Sequence, residues 1–366
     1  MNKRLVRVFG LVLALVMSVM LVSGCQAPET DGKGDEETAQ QFSKVVNVFN
    51  WEDYIDESVL AMFEEETGIH VNYMNFTTNE DMIVQIEANP GAFDLCFPSD
   101  YIIERMINKG LAAEINFDNI PNFDQVLPHL LNPDYDPENK YSVPYMWGTV
   151  GVLYNKTMVP DPERSWHILW DEQYQNGVFM MESIRDSMGV ALKYLGYSMN
   201  TREVPEIVAA KDKLIEQKQI GVVKAYQVDE TKDKMVAGEA PLALMWSGDA
   251  QYAIDLNDDL DYFVPSEGSN IWVDGMVIPS SAKNKENAEA LINFLSRPDV
   301  ARMNCDYIRY SSVNVGAIEL MGEEYTSNPV INPPQEVIDI CEFFHDFEES
   351  FQPVVNAMWM EVKNTK

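Results

Sequence analysis

The chain has 366 residues and a formal net charge of −33, from 59 acidic against 26 basic side chains. With no basic run to neutralise phosphates, that balance excludes nucleic acid as a partner and suits a cationic ligand better than an anionic one, although an acidic surface also serves solubility. Besides Cys25 there are only Cys96, Cys305 and Cys341, without CxxC spacing, and four scattered histidines, so neither a disulfide framework nor a metal site is expected.

Lys3, Arg4 and Arg7 precede an apolar run from Val8 to Val22, followed by Ser23, Gly24 and Cys25. The run is short for a membrane span and carries the charged, apolar and small-residue segments of a signal peptide, residues 1–24. Val22-Ser23-Gly24-Cys25 resembles a bacterial lipobox, which implies a mature chain that begins at Cys25, carries a diacylglyceryl group there, and sits extracytoplasmically on the cell membrane. Residues 25–44 are polar and acidic and read as a tether that cannot bury enough surface to order itself. From Val45 onward the chain is long enough for roughly two domains.

Val45 to Trp51 is strand-like, and Glu57 to Gly68 is a helix with Val59, Leu60 and Phe63 on one face and Gly68 as its stop. The alternation continues with a strand from Ile69 to Phe76, a helix around Asn79 to Ala88, a strand from Phe93 to Phe97 and a helix from Tyr101 to Lys109. Cys96 reads as a small buried hydrophobe in that third strand. After the extended stretch Tyr141 to Asn155, a second block repeats the architecture: Val178 to Met181, helices near Ser187 to Leu195 and Pro205 to Gln217, and the strand Ala243 to Trp246. Trp272 to Pro279 and the helix Lys285 to Leu295, ended by Pro298, complete it. The pattern predicts α/β lobes with a largely parallel sheet, and ligand-binding residues beyond the carboxyl ends of the strands. A bridge between Cys305 and Cys341 is left open by sequence.

Aromatics and carboxylates cluster at those ends: Trp51, Asp53 and Tyr54 after the first strand, Ser99 and Tyr101 after the third, Asp186 after Phe179 to Met181, and Trp246 with Asp249 after Ala243 to Met245. Trp272, Asp274 and Tyr310 come later in the chain. A protonated alkylamine needs carboxylates for its charge, oxygen acceptors for its N–H donors and flat apolar walls for its methylenes. The residues alone also allow Trp51, Tyr54, Tyr101 and Tyr310 to be core, Asp186 and Asp249 to cap helices, and Ser99 to serve a turn.

In this order these residues resemble the spermidine/putrescine-binding family of bacterial ABC importers. The resemblance spans nearly all of the mature chain. It rests on Phe49-Asn50-Trp51-Glu52-Asp53-Tyr54, Phe93-Asp94-Leu95 with Pro98-Ser99, Tyr141-Ser142-Val143-Pro144-Tyr145-Met146-Trp147-Gly148, Trp272-Val273-Asp274, and Ala282-Lys283-Asn284-Lys285 with Arg297-Pro298-Asp299-Val300. It implies a two-lobed α/β fold, periplasmic-binding-protein-like and of type II, with a central cleft and hinge crossovers. Lobe 1 would be 45–149 plus 273–321, and lobe 2 would be 150–272 plus 322–366. Trp51, Tyr54, Trp246, Trp272 and Tyr310 would box the methylene chain; Ser99, Tyr101 and Asp53 would meet one terminal amine; Asp186 and Asp274 would hold the other nitrogens. The receptor would be a monomer, without cofactor, that delivers its polyamine to ABC permease subunits. Ser183 stands where spermidine-preferring members often carry a further carboxylate, while Asp249 resembles the putrescine-preferring pattern, so the choice of polyamine stays open. The alternatives are a receptor for another solute on the same fold and a secreted glycosidase, since paired carboxylates with tryptophans also suit sugars. No GxSxG, phosphate loop or metal-spaced histidines favour an enzyme.

Overall fold

A computed structural model describes residues 44–365; the signal peptide, Cys25 and nearly all of the tether lie outside the described residues. Ten strands succeed one another: β1 (Val45–Trp51), β2 (His70–Phe76), β3 (Leu95–Cys96), β4 (Ser142–Asn155), β5 (Val178–Met181), β6 (Val223–Gln227), β7 (Leu242–Trp246), β8 (Leu260–Phe263), β9 (Ile271–Val277) and β10 (Ser311–Ser312). Several of the helices between them bury one apolar stripe. The helix Glu57–Thr67 is representative: Asp56 caps it by accepting from the Ser58 N–H, Val59, Leu60 and Phe63 are buried, and Gly68 ends it at φ 69°.

The strands form a mixed sheet in the order β2-β1-β3-β9-β4-β7-β5-β6, with β8 and β10 also paired to β4. Its two ends are parallel, β1 with β2 and β3, and β5 with β6 and β7. Its centre is antiparallel, β9 with β3 and β4, and β4 with β7, β8 and β10. The expected largely parallel sheet is corrected here. Strand–helix–strand units generate the parallel ends, but β4 and β9 run side by side in opposite directions through the middle, outside any such unit.

Strand β4 is buried along its whole length. From Ser142 to Thr149 it pairs with β9, and from Val150 to Asn155 with β7 and β8. The register shifts between Pro144 and Met146, where proline cannot donate to the ladder. One strand therefore belongs to both halves of the sheet, and side chains near its midpoint are reached from both.

Most expected elements recur within a few residues, Lys285–Leu295 with identical bounds. Strands β6, β8 and β10 were not anticipated. Pro298, read as a stop, also occupies the first turn of a new helix, Pro298–Ile308, where its missing N–H costs nothing. Cys96 is fully buried, and Cys96, Cys305 and Cys341 are all free thiols, so the bridge left open by sequence does not form. Among the described residues no helix is long and apolar enough to cross a membrane, and no cluster of metal-ligating side chains occurs.

Candidate ligand-binding site

Around the crossing strands, three polar groups gather the residues picked out by sequence. The first centres on Asp274, in the middle of β9. Its Oδ2 accepts a 2.8 Å hydrogen bond from the Tyr54 hydroxyl. An isolated backbone bridge ties it to Ser99, whose Oγ accepts from Asn79 Nδ2 at 3.0 Å. Burial pushes the Asp274 carboxyl up to about 7, with the Ser99 and Tyr54 hydroxyls pulling the other way. Its other oxygen, Oδ1, is buried and accepts no hydrogen bond from the described residues; neither is the Trp272 indole N–H satisfied.

Tyr54 links this carboxylate to a chain of three rings. Tyr310 lies 5.7 Å from Tyr54 and 5.0 Å from Trp272, edge to face in both cases. Two glycines let the rings in. A Cβ at Gly148 would come within 2.7 Å of the Trp272 ring, and one at Gly248 within 2.1 Å of the Tyr310 ring. The Trp-Gly of β4 and the Ser-Gly after β7 are thus requirements of close packing around the site.

The second group lies at the start of the helix Ser247–Leu256. Asp249 Oδ2 accepts from the Tyr310 hydroxyl at 3.1 Å. Its Oδ1 is 4.0 Å from Lys232 Nζ, which also sits 3.4 Å from Oδ2 of Asp53. Asp53 turns the chain after β1 in the left-handed region, φ 52°, which aspartate tolerates better than most residues. Burial raises the Asp249 carboxyl to about 6, and Lys232 opposes the shift.

Asp186 anchors the third group. Ser183, not Asp186, caps the helix Ile184–Tyr194: its Oγ accepts from the Asp186 N–H and donates to Asp186 Oδ2 at 2.5 Å. Asp249 likewise lies inside its helix, whose cap position is Trp246. The cap roles left open by sequence are therefore not the ones these aspartates play. Burial lifts Asp186 to about 6, opposed by Ser183, Arg185 and Trp246. The Tyr101 hydroxyl donates to Glu80 Oε1 at 3.1 Å, and the Arg185 guanidinium stacks on Tyr101, Phe344 and Phe347. Trp246 and Asp249 line a small pocket together with Lys232 and Thr231.

Tyr310 joins the first two groups, through its ring to Trp272 and its hydroxyl to Asp249. Trp51 stands apart: its indole donates to the Phe97 carbonyl at 2.8 Å and its ring packs 4.5 Å from Phe76. Trp272 and Asp274 lie within an antiparallel strand and Tyr310 just before one, which corrects the expectation that site residues come after strands. Asp274 is served from inside β9 because β9 itself crosses the centre of the sheet.

Residues 58–333 match the family of bacterial extracellular solute-binding proteins. The chain belongs to that family. It is 35% identical over 313 residues to the spermidine/putrescine-binding periplasmic protein of Escherichia coli, covering 83% of this chain and 89% of that one. A Listeria monocytogenes structure assigned to a spermidine/putrescine ABC transporter superposes with a TM-score of 0.85 at 36% identity, covering 88% and 100% of the two chains. A lipoprotein of Treponema pallidum matches with a TM-score of 0.79 at 26% identity, covering 87% and 99%. The fold is the two-lobed α/β fold of solute-binding proteins. The family is one of transport receptors, not enzymes, which overturns the glycosidase alternative.

Lys232, Glu80 and Asp100 were not singled out from sequence. Glu80 opens the helix Asn79–Ala88 directly after β2, and Lys232 stands in the helix Glu230–Val236 after β6. Both obey the strand-end rule. Glu80 was passed over because β2 carries no aromatic–acidic cluster at its end, and Lys232 because β6, a half-buried five-residue strand, was not recognised. Asp100 is fully buried next to Ser99, with Oδ1 accepting from the Tyr101 N–H and Oδ2 unpartnered; burial raises its carboxyl well above the usual range.

Proposed function

We propose that this solute-binding protein captures a polyamine, putrescine or spermidine, in an acidic, aromatic-lined cleft between its lobes and delivers it to the permease of an ABC importer. The observation that carries the reading is Asp274: a buried carboxyl with one oxygen unpartnered and the other bonded to Tyr54, whose ring packs on Tyr310 and through it on Trp272. A carboxylate held there without a cation is destabilised, and an alkylammonium supplies both the missing charge and the missing donors. The rings offer methylene contacts and cation–π attraction, worth roughly 0.5–2 kcal/mol each. Asp186 is a second buried carboxyl without an ion-pair partner among the described residues, and Trp51, Asp53, Ser99, Tyr101, Trp246 and Asp249, the last already near Lys232, complete the ligand-binding set. The relatives bearing spermidine/putrescine names support the ligand class.

The lobes are taken as 45–149 with 273–321, and 150–272 with 322–366, a division supported by the change of β4's partners after Thr149. Closure of one on the other would exclude water from the amine. The lipobox-like Val22-Ser23-Gly24-Cys25 and the likeness to a Treponema lipoprotein support a lipid anchor at Cys25 and an extracytoplasmic location on the membrane, with the receptor taken as a monomer on an acidic leash. Calorimetric titration with putrescine and spermidine, beside a neutral sugar and inorganic phosphate, tests the assignment. Micromolar or tighter binding of an amine and silence toward both controls is the expected result; a folded, ligand-free protein that ignores both amines refutes it.

A further inference from the structure

Lys232 brings a second cation into this acidic region, one that belongs to the protein. Its Nζ lies 3.4 Å from Asp53 Oδ2, 4.0 Å from Asp249 Oδ1 and 5.5 Å from the centroid of the Tyr252 ring. Carboxylates on two sides and an aromatic face are the surroundings that the nitrogen of an alkylamine requires. The side chain is held rather than solvated, being only 17% exposed. Asp229, also buried in part, adds its charge to the same corner, and Glu52 stands nearby.

The other carboxylates of the site lack such a partner. Neither Asp186 nor Asp274 forms an ion pair among the described residues. Arg185, the basic side chain nearest Asp186, is committed elsewhere: it stacks on Phe344 and Phe347 and donates to the His345 carbonyl at 2.9 Å. Asp186 and Asp274, the latter with the buried Asp100 close by, therefore hold no cation, while the corner at Asp53 and Asp249 already holds one.

On the polyamine reading of the site, we propose that Lys232 takes the place of one ligand ammonium between Asp53 and Asp249 and so biases the receptor toward a diamine over a longer triamine. A diamine places its two charges at the carboxyls without partners. A triamine must either leave its third nitrogen unpaired or displace Lys232, breaking both ion pairs and bringing two ammonium groups together.

The test is calorimetric titration of the purified chain with putrescine and with spermidine, for the parent and for Lys232→Met and Lys232→Gln, each checked by thermal melting. The parent is expected to bind putrescine more tightly, and both variants to move the ratio of the two dissociation constants at least tenfold toward spermidine. A lysine with a merely structural role would weaken both amines alike and leave the ratio unchanged. An unchanged ratio in a folded variant, or a parent that prefers spermidine, overturns the inference while leaving the polyamine reading intact. Binding of neither amine to any form overturns both. Two variants are used so that a folding failure in one leaves the other to decide.

Discussion

Asp94 and Asp274 are the same residue type and both buried, yet their hydrogen-bond surroundings are opposite. Asp94 is saturated. Its two oxygens accept from the Asn47 N–H and side-chain amide, from the Lys283 and Asn284 N–H groups and from the Asn284 amide, all within 2.7–2.9 Å. It clips the segment before the helix Lys285–Leu295 to the first strand. Asp274 receives the Tyr54 hydroxyl on one oxygen and nothing from the described residues on the other. A buried carboxylate whose acceptor sites are all filled stabilises a fold; one left open is set to receive a donor from outside. On the proposed reading, the number of donors around each, rather than burial, separates structure from function.

The same isosteric change at both positions tests this contrast. Asp274→Asn is expected to weaken amine binding by roughly 2–4 kcal/mol, about 30- to 1000-fold, because the ligand's ammonium loses a desolvated counter-charge. The melting temperature should hold or rise, since a costly buried acid has been removed; a large fall in stability, or unchanged affinity in calorimetry, would return Asp274 to the scaffold. Asp94→Asn turns an acceptor into a donor facing other donors and is expected to cost roughly 2–4 kcal/mol of stability by denaturant unfolding. Its effect on affinity, measured where the variant is folded, should be small.

Solution pH should act on the open carboxyl of Asp274 and on Asp186 and Asp249. Asp274 at about 7 and Asp186 and Asp249 at about 6 are raised above the usual carboxylate value, so between pH 4 and 7 the folded protein holds protons that the unfolded chain has released. Their contribution to the stability of the free protein is complete below about pH 4 and fades as pH rises through 6 to 7. An ammonium ligand prefers the ionised carboxyls, so amine affinity should increase by about tenfold between pH 5.5 and 8, with protons released on binding. Titrations near pH 6.5 in buffers of different ionisation enthalpy would read that release, and identical apparent heats would contradict it. A smaller effect is expected from Gly248→Ala. A methyl cannot fit beside the Tyr310 ring, so that ring must shift, with a loss of roughly 1–2 kcal/mol shared between stability and affinity. Unaltered titration and melting curves would show that the ring has freedom to spare.

Much of the fold was legible because periodicity and helix stops act locally. Val59, Leu60 and Phe63 share a stripe and Gly68 ends the helix whatever surrounds them, and Lys285–Leu295 could be bounded to the residue. The short, half-buried β6 escaped because few of its side chains point into the core, and Lys232 escaped with it. The antiparallel centre escaped because strand direction depends on partners far away in sequence.

Taken alone, the amino-acid sequence determined the class of the fold, the aromatic and acidic character of the site and its residues as candidates, all of which arise from local pattern and side-chain chemistry. Only the tertiary structure decided which aspartate is satisfied and which is open, that Trp51 leans on Phe76 while Trp272 meets Tyr310, and that Lys232 reaches Asp53 across 179 positions. Hydrogen-bond saturation and charge pairing are properties of neighbours brought together by folding, and sequence spacing does not carry them.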